Sequence, residues 1–318
     1  MTTRVRLAAA AGALLLAVLP GCGSSSGGAP SPQGPVARVG KQSIPRSQFD
    51  LRMASALAAI AQGGGPQQGS SGYDAMVSKL RASVLKSLII DSVIAQEAQF
   101  RHIAASDADV QAEVDADSKG SGGLGALQTQ LAEAGGSLDQ LRDEIRARLN
   151  EQRLEDAFAK ERATAIVNEL RGGGDFVALA RQLSDDTVAR DKGGDVGVLS
   201  DARLASGDSI FAGAVRALAA GQLVAAPVRD DAGYEVLRVD AVTAAGHAVH
   251  RILVAAPKPY TVKERPDWFL QSLLDAIAQY CRQGQLSVLI ASSEQPCISA
   301  SASPAPSTSP SPSPSPSR

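Results

Sequence analysis

Cysteine and histidine are the residue types in this chain that most readily form covalent or metal bonds. The cysteines are Cys22, Cys281 and Cys297, and the histidines are His102, His247 and His250. No histidine has a ligand-like spacing to Cys281 or Cys297, so the sequence predicts no metal site and no cofactor. The cysteines are therefore expected to form other bonds.

Cys22 follows a segment that is typical of an export signal. Arg4 and Arg6 precede an apolar run from Leu7 to Leu19, which is shorter than the roughly 20 residues of a membrane-spanning helix. The run ends in Leu19-Pro20-Gly21-Cys22, and this ending resembles the bacterial lipobox. The resemblance implies that Cys22 carries lipid and anchors an extracytoplasmic protein to the bacterial cell membrane. An ordinary cleaved signal with a chance cysteine is the alternative.

If Cys22 carries lipid, the two remaining cysteines form an even pair. Outside the cytoplasm such a pair favours a disulfide. The bond would close a loop of about 15 residues and stabilise the fold by roughly 3 kcal/mol in the chain-entropy model. We therefore predict a Cys281–Cys297 disulfide, with two unpaired thiols as the alternative.

Composition and charge restrict the remaining possibilities. The 318 residues carry 31 basic and 33 acidic side chains, a net charge of −2, which provides no basic surface for nucleic acid. Residues 1–21 are the predicted signal peptide, residues 22–35 a flexible Gly/Ser/Pro tether, and residues 299–318 a disordered Ser/Pro tail. The length between them suffices for one large or two modest domains.

Hydrophobic spacing predicts a largely helical first half. Alternating apolar residues from Val36 to Ile44 predict a short hairpin around a glycine turn. The apolar stripe from Tyr73 to Phe100 predicts a long helix, and Ser106 and Ser137 stand where helix starts are expected. No Pro or Gly interrupts the segment from Leu138 to Leu170, which leaves either one very long helix or two abutting helices.

Three segments in this first half support a resemblance to a known family. They read PVARVGKQSIPRSQFD, VLKSLIIDSVIAQEAQFRHIAASDADVQAEV and GGSLDQLRDEIRARLNEQRL. In this order they resemble the N-terminal chaperone domain of SurA- and PrsA-type foldases. The resemblance implies a helical domain, placed here at residues 36–159, that binds unfolded or nascent exported polypeptides. An unrelated helical domain is the alternative.

The next segment is similar to a parvulin-type (PpiC) peptidyl-prolyl isomerase domain. AIVNELRGGGDFVALARQLSDD resembles its first two helices, KGGDVGVLS the start of a strand, and IFAGAVRALAAGQLVAAPVRDDAGYEVLRV its last helix and closing strand. We place this domain at residues 160–256. The two domains together predict an α+β fold, in which a helical chaperone domain precedes a small, mostly antiparallel sheet flanked by helices.

The chemistry of such a domain is rotation about the X-Pro bond, which is slow because it breaks amide resonance. A site can hold the proline ring in an apolar pocket and stabilise the twisted amide with polar groups. The resemblance implies that Phe211 and Leu204 line the pocket, with Leu204 standing where the family often has Met. Ordinary core packing is the alternative for both residues.

The same resemblance gives three candidate catalytic residues, Asp186, Glu235 and His250. Asp186 stands where parvulins carry a Cys or Asp, and capping of a loop is its alternative role. Glu235 replaces a histidine of the closing strand, and Asp230 replaces a Ser or Thr. Carboxylates gathered in this way repel one another, which raises the pKa of a carboxyl group.

The order of the strands also departs from the family. A string similar to the family's first strand, VHRILVAA, follows the closing strand at Val249–Ala256. We expect a circularly permuted domain that takes this strand from its C-terminal side, and docking on the N-terminal hairpin is the alternative. Because Arg251 rather than His250 precedes Ile252, a one-residue slip would turn His250 away from the site.

The sequence as a whole predicts a lipid-anchored foldase. A helical extension over residues 257–298 follows the isomerase-like domain, with a helix expected from Pro266 to Gln283. Three functions remain open, namely an active isomerase, a binding-only chaperone with a degenerate isomerase domain, and a structural envelope lipoprotein.

Overall fold

The computed structural model describes residues 34–256, 265–290 and Cys297. The predicted signal peptide, Cys22, nearly all of the tether and the Ser/Pro tail lie outside these residues. Across the described ranges, no helix is both long and apolar enough to cross a membrane.

The described chain alternates long helices with two small groups of strands. In chain order the elements are β1 (Ala37–Val39), β2 (Gln42–Ile44), α1 (Arg46–Gln62), α2 (Tyr73–Phe100), α3 (Asp107–Ser121), α4 (Leu124–Glu133), α5 (Leu138–Arg171), α6 (Phe176–Leu183), α7 (Thr187–Asp191), β3 (Asp195–Leu199), α8 (Asp201–Ser206), α9 (Ser209–Arg216), β4 (Gln222–Leu223), β5 (Val228–Arg229), β6 (Gly233–Thr243), β7 (Gly246–Ala255), α10 (Asp267–Arg282) and β8 (Leu286–Val288).

The N-terminal hairpin forms as its alternating pattern predicts, and the C-terminal part of the chain completes it. β1 pairs antiparallel with β2 on one edge and with β8 on the other. Val39 is fully buried in this sheet, opposite Leu286 of β8. The buried side chains of the sheet pack on the apolar stripe of α2, which includes Leu85, Leu88, Ile89 and Val93.

Both predicted helix starts carry serine caps. Ser106 Oγ accepts a hydrogen bond from the N–H of Asp109, whose side chain accepts one in return from Ser106 N. Ser137 Oγ accepts from the N–H of Gln140. From this cap α5 runs without a break for 34 residues, so the segment forms one very long helix.

The second sheet has the strand order β3-β7-β6-β4, with β5 also paired to β6. β7 lies inside it, because it pairs antiparallel with β3 on one edge and with β6 on the other. The VHRILVAA segment therefore belongs to this sheet and not to the N-terminal hairpin, as a permuted strand order requires. The antiparallel sheet with its flanking helices confirms the predicted α+β class.

α5 joins the helical region to this sheet. Tyr234 of β6 donates a hydrogen bond to Asp156 of α5 at 2.8 Å. The first half of α5 packs against α3 through Ile145 and Leu149. The predicted boundary between residues 159 and 160 lies within this one helix, and the domain bounds remain a prediction.

α10 packs beside α5 and is bonded to the loop that precedes α7. Phe269 is fully buried, with its ring centroid 6.1 Å from that of Phe158 in α5. Trp268 Nε1 donates to Asp185 Oδ2 at 2.9 Å, and the same oxygen accepts from the N–H of Ala255. The helix of the C-terminal extension is therefore an integral part of the main core.

Truncation of Phe269 tests this attachment. Phe269→Ala should lower the free energy of unfolding by about 3–5 kcal/mol, because it removes a fully buried aromatic ring. Leu270→Ala on the same helix is the control, since Leu270 is 48% exposed, and its effect should stay below about 1 kcal/mol. Urea unfolding followed by circular dichroism measures both, and equal losses would contradict the packing of α10.

Candidate functional site

The candidate site lies on the face of the second sheet that points away from α5. Tyr234 points towards α5, so the next residue of β6, Glu235, points to the opposite face. The register pairs Glu235 with Leu253 and Leu237 with Arg251. Since directly paired residues share a face, Glu235 and Arg251 project to the same side of the sheet.

Arg251 forms ion pairs with two carboxyl groups on this face. Its Nη2 lies 3.1 Å from Oε1 of Glu235, and its Nε lies 3.3 Å from Oδ2 of Asp186. The Arg251 side chain is 21% exposed, whereas that of Glu235 is only 1% exposed. The ion pairs therefore extend from the core of the sheet to the solvent.

Asp186 has the capping role that the sequence allowed and also contacts the site. Its Oδ1 accepts hydrogen bonds from the N–H groups of Val188 and Ala189, each at 3.0 Å, and so caps α7. Its other oxygen, Oδ2, is the one that faces Arg251. The helix start thus holds this carboxylate in place.

Asp230 lies beside Glu235 and is held by a tight turn. Its Oδ1 accepts from the N–H groups of Ala232 and Gly233 at 2.9 and 3.0 Å. Its carboxyl group lies close enough to Glu235 to raise the pKa of that residue. The turn therefore places a second fixed carboxyl group next to the buried Glu235.

Burial raises the pKa of Glu235 from its ordinary 4.5 to about 8. Arg251 opposes this shift, while the charges of Asp230 and Asp186 and the hydrogen bond to Asp230 add to it. The sequence predicted a raised carboxyl pKa from repulsion between carboxylates. The direction is the same, but desolvation is the larger cause.

A carboxyl group with this pKa is mostly protonated at neutral pH. Protonated Glu235 is neutral, so its contact with Arg251 is then a hydrogen bond from the guanidinium to a carboxyl oxygen and not an ion pair. The proton can be donated to Asp230. The proton allows Glu235 Oε2, which accepts no hydrogen bond from the described residues, to act as a donor. Hydrogen bonds and ion pairs then connect the Asp230 turn, Glu235, Arg251 and Asp186 in one chain.

Phe211 lies next to this chain of polar groups. Its ring centroid is 5.8 Å from the guanidinium carbon of Arg251. Asp208 caps the helix start that holds Phe211 and accepts from its N–H. Phe211 is half-buried, whereas Leu204 of α8 is 3% exposed in the same apolar cluster. Phe211 therefore provides an apolar surface beside the polar groups, whereas Leu204 is buried beneath the protein surface.

Gly194 fixes the backbone of Arg251. Its carbonyl accepts from the N–H of Arg251 at 2.8 Å. Its φ is 92°, and an added Cβ would lie 2.9 Å from the Arg251 carbonyl oxygen and 3.0 Å from the ring of Phe176. Glycine is therefore required where the KGGDVGVLS segment meets β7.

The structure does not bring His250 to this cluster. Its Nδ1 lies 2.7 Å from Asp240 Oδ2, and its ring packs edge-on against Phe176. Neighbouring residues of a strand point to opposite faces, so His250 points away from Glu235 while Arg251 points towards it. Of the predicted catalytic residues, Asp186 and Glu235 lie together and His250 lies apart, and their roles in catalysis remain predictions.

Arg251 is a site residue that the sequence analysis named as a departure from the family but did not count among the catalytic residues. The signal was its position directly before Ile252, where the similar family string has a histidine. His250 was predicted instead because it is the histidine nearest to that position. The register counted from Ile252 would have selected Arg251.

This sheet, with its short helices and its polar cluster beside Phe211, defines a parvulin-type domain that is joined through α5 to a helical domain. Two family models match the amino-acid sequence in succession. The SurA-like N-terminal domain matches residues 3–155, and the PPIC-type PPIASE domain matches residues 144–241. The chain therefore carries a SurA-like N-terminal domain followed by a PPIC-type rotamase domain. The second match ends before β7, which fits the permuted position of that strand.

Two curated relatives match parts of the chain. The foldase protein PrsA of Pediococcus pentosaceus is 35% identical over 80 residues, which cover 25% of this chain and 27% of the relative. The chaperone SurA of Ralstonia nicotianae is 28% identical over 222 residues, which cover 54% of this chain and 44% of the relative. The chain thus spans less than half the length of either relative.

Solved structures of PrsA also match. The PrsA structure from Bacillus anthracis is 19% identical and covers 61% of this chain and 96% of its own, with a TM-score of 0.24. The structure from Lactococcus lactis is 12% identical and covers 80% of this chain and 94% of its own, with a TM-score of 0.28. TM-scores this low do not support a conclusion about the fold of this chain.

The buried carboxyl of Glu235 should make stability depend on pH. The folded state binds its proton more tightly than the unfolded state does, so rising pH between about 5 and 8 should destabilise the wild-type protein. Glu235→Gln cannot ionise, and it should be more stable than wild type by about 2–4 kcal/mol at pH 8 and nearly equal at pH 5.

Urea unfolding at the two pH values measures this difference. Glu144→Gln, which changes an exposed side chain of α5, is the matched control and should follow wild type at both. A gap between Glu235→Gln and wild type that is the same at pH 5 and pH 8 would contradict a neutral carboxyl at this site.

Proposed function

We propose that this chain is a lipid-anchored foldase outside the bacterial cytoplasm, which binds unfolded exported polypeptides and catalyses cis–trans isomerisation of X-Pro bonds. One observation carries the catalytic part of the proposal. Arg251 lies between the carboxyl groups of Asp186 and Glu235 and beside the half-buried ring of Phe211.

These groups match what the reaction demands. Rotation about the X-Pro bond forms no covalent intermediate, but it must overcome a barrier of about 18–20 kcal/mol from lost amide resonance. Phe211 offers an apolar surface for the proline ring. Arg251 and Asp186 offer fixed charges that can stabilise the electron distribution of the twisted amide. Because backbone groups already hold these charges in place, little reorganisation is needed during rotation.

The full chain should accelerate isomerisation of a prolyl tetrapeptide in a protease-coupled assay. Phe211→Ala should lower kcat/KM by about tenfold or more, since it removes much of the apolar contact to the ring. Val242→Ala is the matched control, because Val242 is 48% exposed near the far end of β6, and it should keep the wild-type rate.

A wild-type rate equal to that of buffer would overturn the isomerase and favour the second candidate, a binding-only chaperone. That function predicts suppressed aggregation of an unfolded client even when isomerisation is absent. A chain that neither accelerates isomerisation nor protects a client would overturn both candidates.

A cavity of about 900 Å³ between α5 and the start of β6 favours the chaperone function. Apolar Ile103 and Tyr234 line it together with the cationic Arg153 and Lys160. Glu155 also lines the cavity, with a pKa raised by burial to about 7 and an Oε2 that accepts no hydrogen bond from the described residues. A lining that combines apolar side chains with many charged ones suits a segment of an unfolded polypeptide, which presents both kinds of group.

The cysteines support the proposed location outside the cytoplasm. Cys22 lies outside the described residues, and the sequence before it resembles a lipobox. Cys281 and Cys297 lie at bonding distance, with their Cα atoms 5.2 Å apart, within the usual range for a disulfide. We propose that this bond forms after export, because stable disulfides are typical of oxidising compartments.

Removal of Cys22 tests the anchor. Cys22→Ala should shift the protein from the membrane fraction to the soluble fraction of cells, because it removes the thiol that would carry the lipid. Ser24→Ala in the same tether is the control and should stay in the membrane fraction. Fractionation followed by mass spectrometry of the N-terminal peptide measures both, and a membrane-bound Cys22→Ala protein would overturn lipid attachment at Cys22.

A further inference from the structure

We propose that Arg251 is a catalytic residue, which donates a hydrogen bond from its Nη1 group to the nitrogen of the twisting X-Pro bond. This inference rests on the proposed isomerase function. It names the residue that contacts the reacting bond, and it names the atom of that bond that the residue contacts.

The geometry leaves one end of the guanidinium group available. A guanidinium carries five N–H donors on three nitrogens. Nε faces Asp186 and Nη2 faces Glu235. No described residue forms an ion pair with Nη1, and the side chain is 21% exposed. A ligand resting on Phe211 would lie next to this guanidinium, whose carbon is 5.8 Å from the ring centroid.

Arg251 is also held from three directions before any substrate arrives. Its own N–H donates to the carbonyl of Gly194. Asp186 is fixed by the start of α7, and Glu235 is fixed through Asp230 and its turn. A donor fixed in this way spends no free energy on reorientation when the bond rotates.

The electronic change in the substrate selects the nitrogen as the acceptor. Resonance in a planar amide moves the nitrogen lone pair towards the carbonyl oxygen. Twisting the bond returns the lone pair to the nitrogen, which then accepts a hydrogen bond. A donor aimed at the nitrogen thus binds the twisted state better than the planar state, and only such a difference accelerates rotation.

The neighbouring charges favour this role. Protonated Glu235 contributes no negative charge, so Asp186 is the carboxylate that balances the guanidinium in direct contact. Phe211 lies on the same side, with its ring centroid 5.8 Å from the guanidinium carbon. A proline ring seated on Phe211 would carry its nitrogen into reach of Arg251.

Two substitutions separate this role from ion pairing alone. Arg251→Lys keeps the positive charge between the two carboxyl groups, but one ammonium held by both has no second nitrogen for the substrate. Arg251→Met removes the charge and every donor. Both should lower kcat for a prolyl peptide by about tenfold or more with KM changed less than about threefold, because the donor acts mainly on the twisted state.

Arg238→Met on β6 is the matched control and should retain wild-type kcat and KM. Arg238 is an arginine of the same sheet that packs over Phe176, away from the site. The full chain is used throughout, and thermal unfolding of each variant is measured beside the kinetics. If Arg251→Met does not fold, Arg251→Lys decides the outcome.

The outcomes separate this inference from the function on which it rests. A wild-type chain without isomerase activity would overturn both. An active wild type together with a folded Arg251→Lys variant of unchanged kcat would overturn the role of Arg251 alone. A raised KM with unchanged kcat would also overturn it, because Arg251 would then bind planar and twisted substrate equally.

Discussion

The pairing of β7 with both of its neighbours is the constraint on which the rest of the structure depends. Without β7, β3 would have no partner among the described strands, and β6 would lose its longest ladder. The same strand supplies Arg251 to the candidate site and the N–H of Ala255 to Asp185, which in turn receives Trp268 of α10. One strand thus determines the sheet, the position of the guanidinium and the attachment of the C-terminal helix.

In the polar cluster, contacts with protein groups replace the water that would otherwise stabilise the carboxyl group of Glu235. A buried carboxyl group is costly when ionised and unpaired, and Glu235 avoids that cost by holding its proton and bonding to Asp230 and Arg251. Each end of the cluster is fixed by two backbone N–H groups, at the Asp230 turn and at the start of α7. The side chains in the middle are rigid because the backbone at both ends is rigid.

The sequence predicted the features that depend on local chemistry. The apolar stripe gave α2 over Tyr73–Phe100, the serine caps gave the starts of α3 and α5, and the family resemblance gave the sheet and brought Asp186 and Glu235 together. It failed where distant segments decide the outcome. β8 is three residues long and becomes a strand only through pairing with β1. The sequence did not decide between His250 and Arg251, because a slip of one residue in the register exchanges the faces to which they point.

The pairing of β1 with β8 has a consequence for the order in which the chain acquires its structure. Polypeptides are made, and exported chains delivered, from the N-terminus onwards, so the first strand emerges long before the last. The N-terminal hairpin consequently keeps an open edge until residues 286–288 have arrived, and closing so long a loop is slow compared with forming a helix. A protein proposed to assist unfolded chains would thus itself pass through a partly folded state, in which β1 lacks its partner β8.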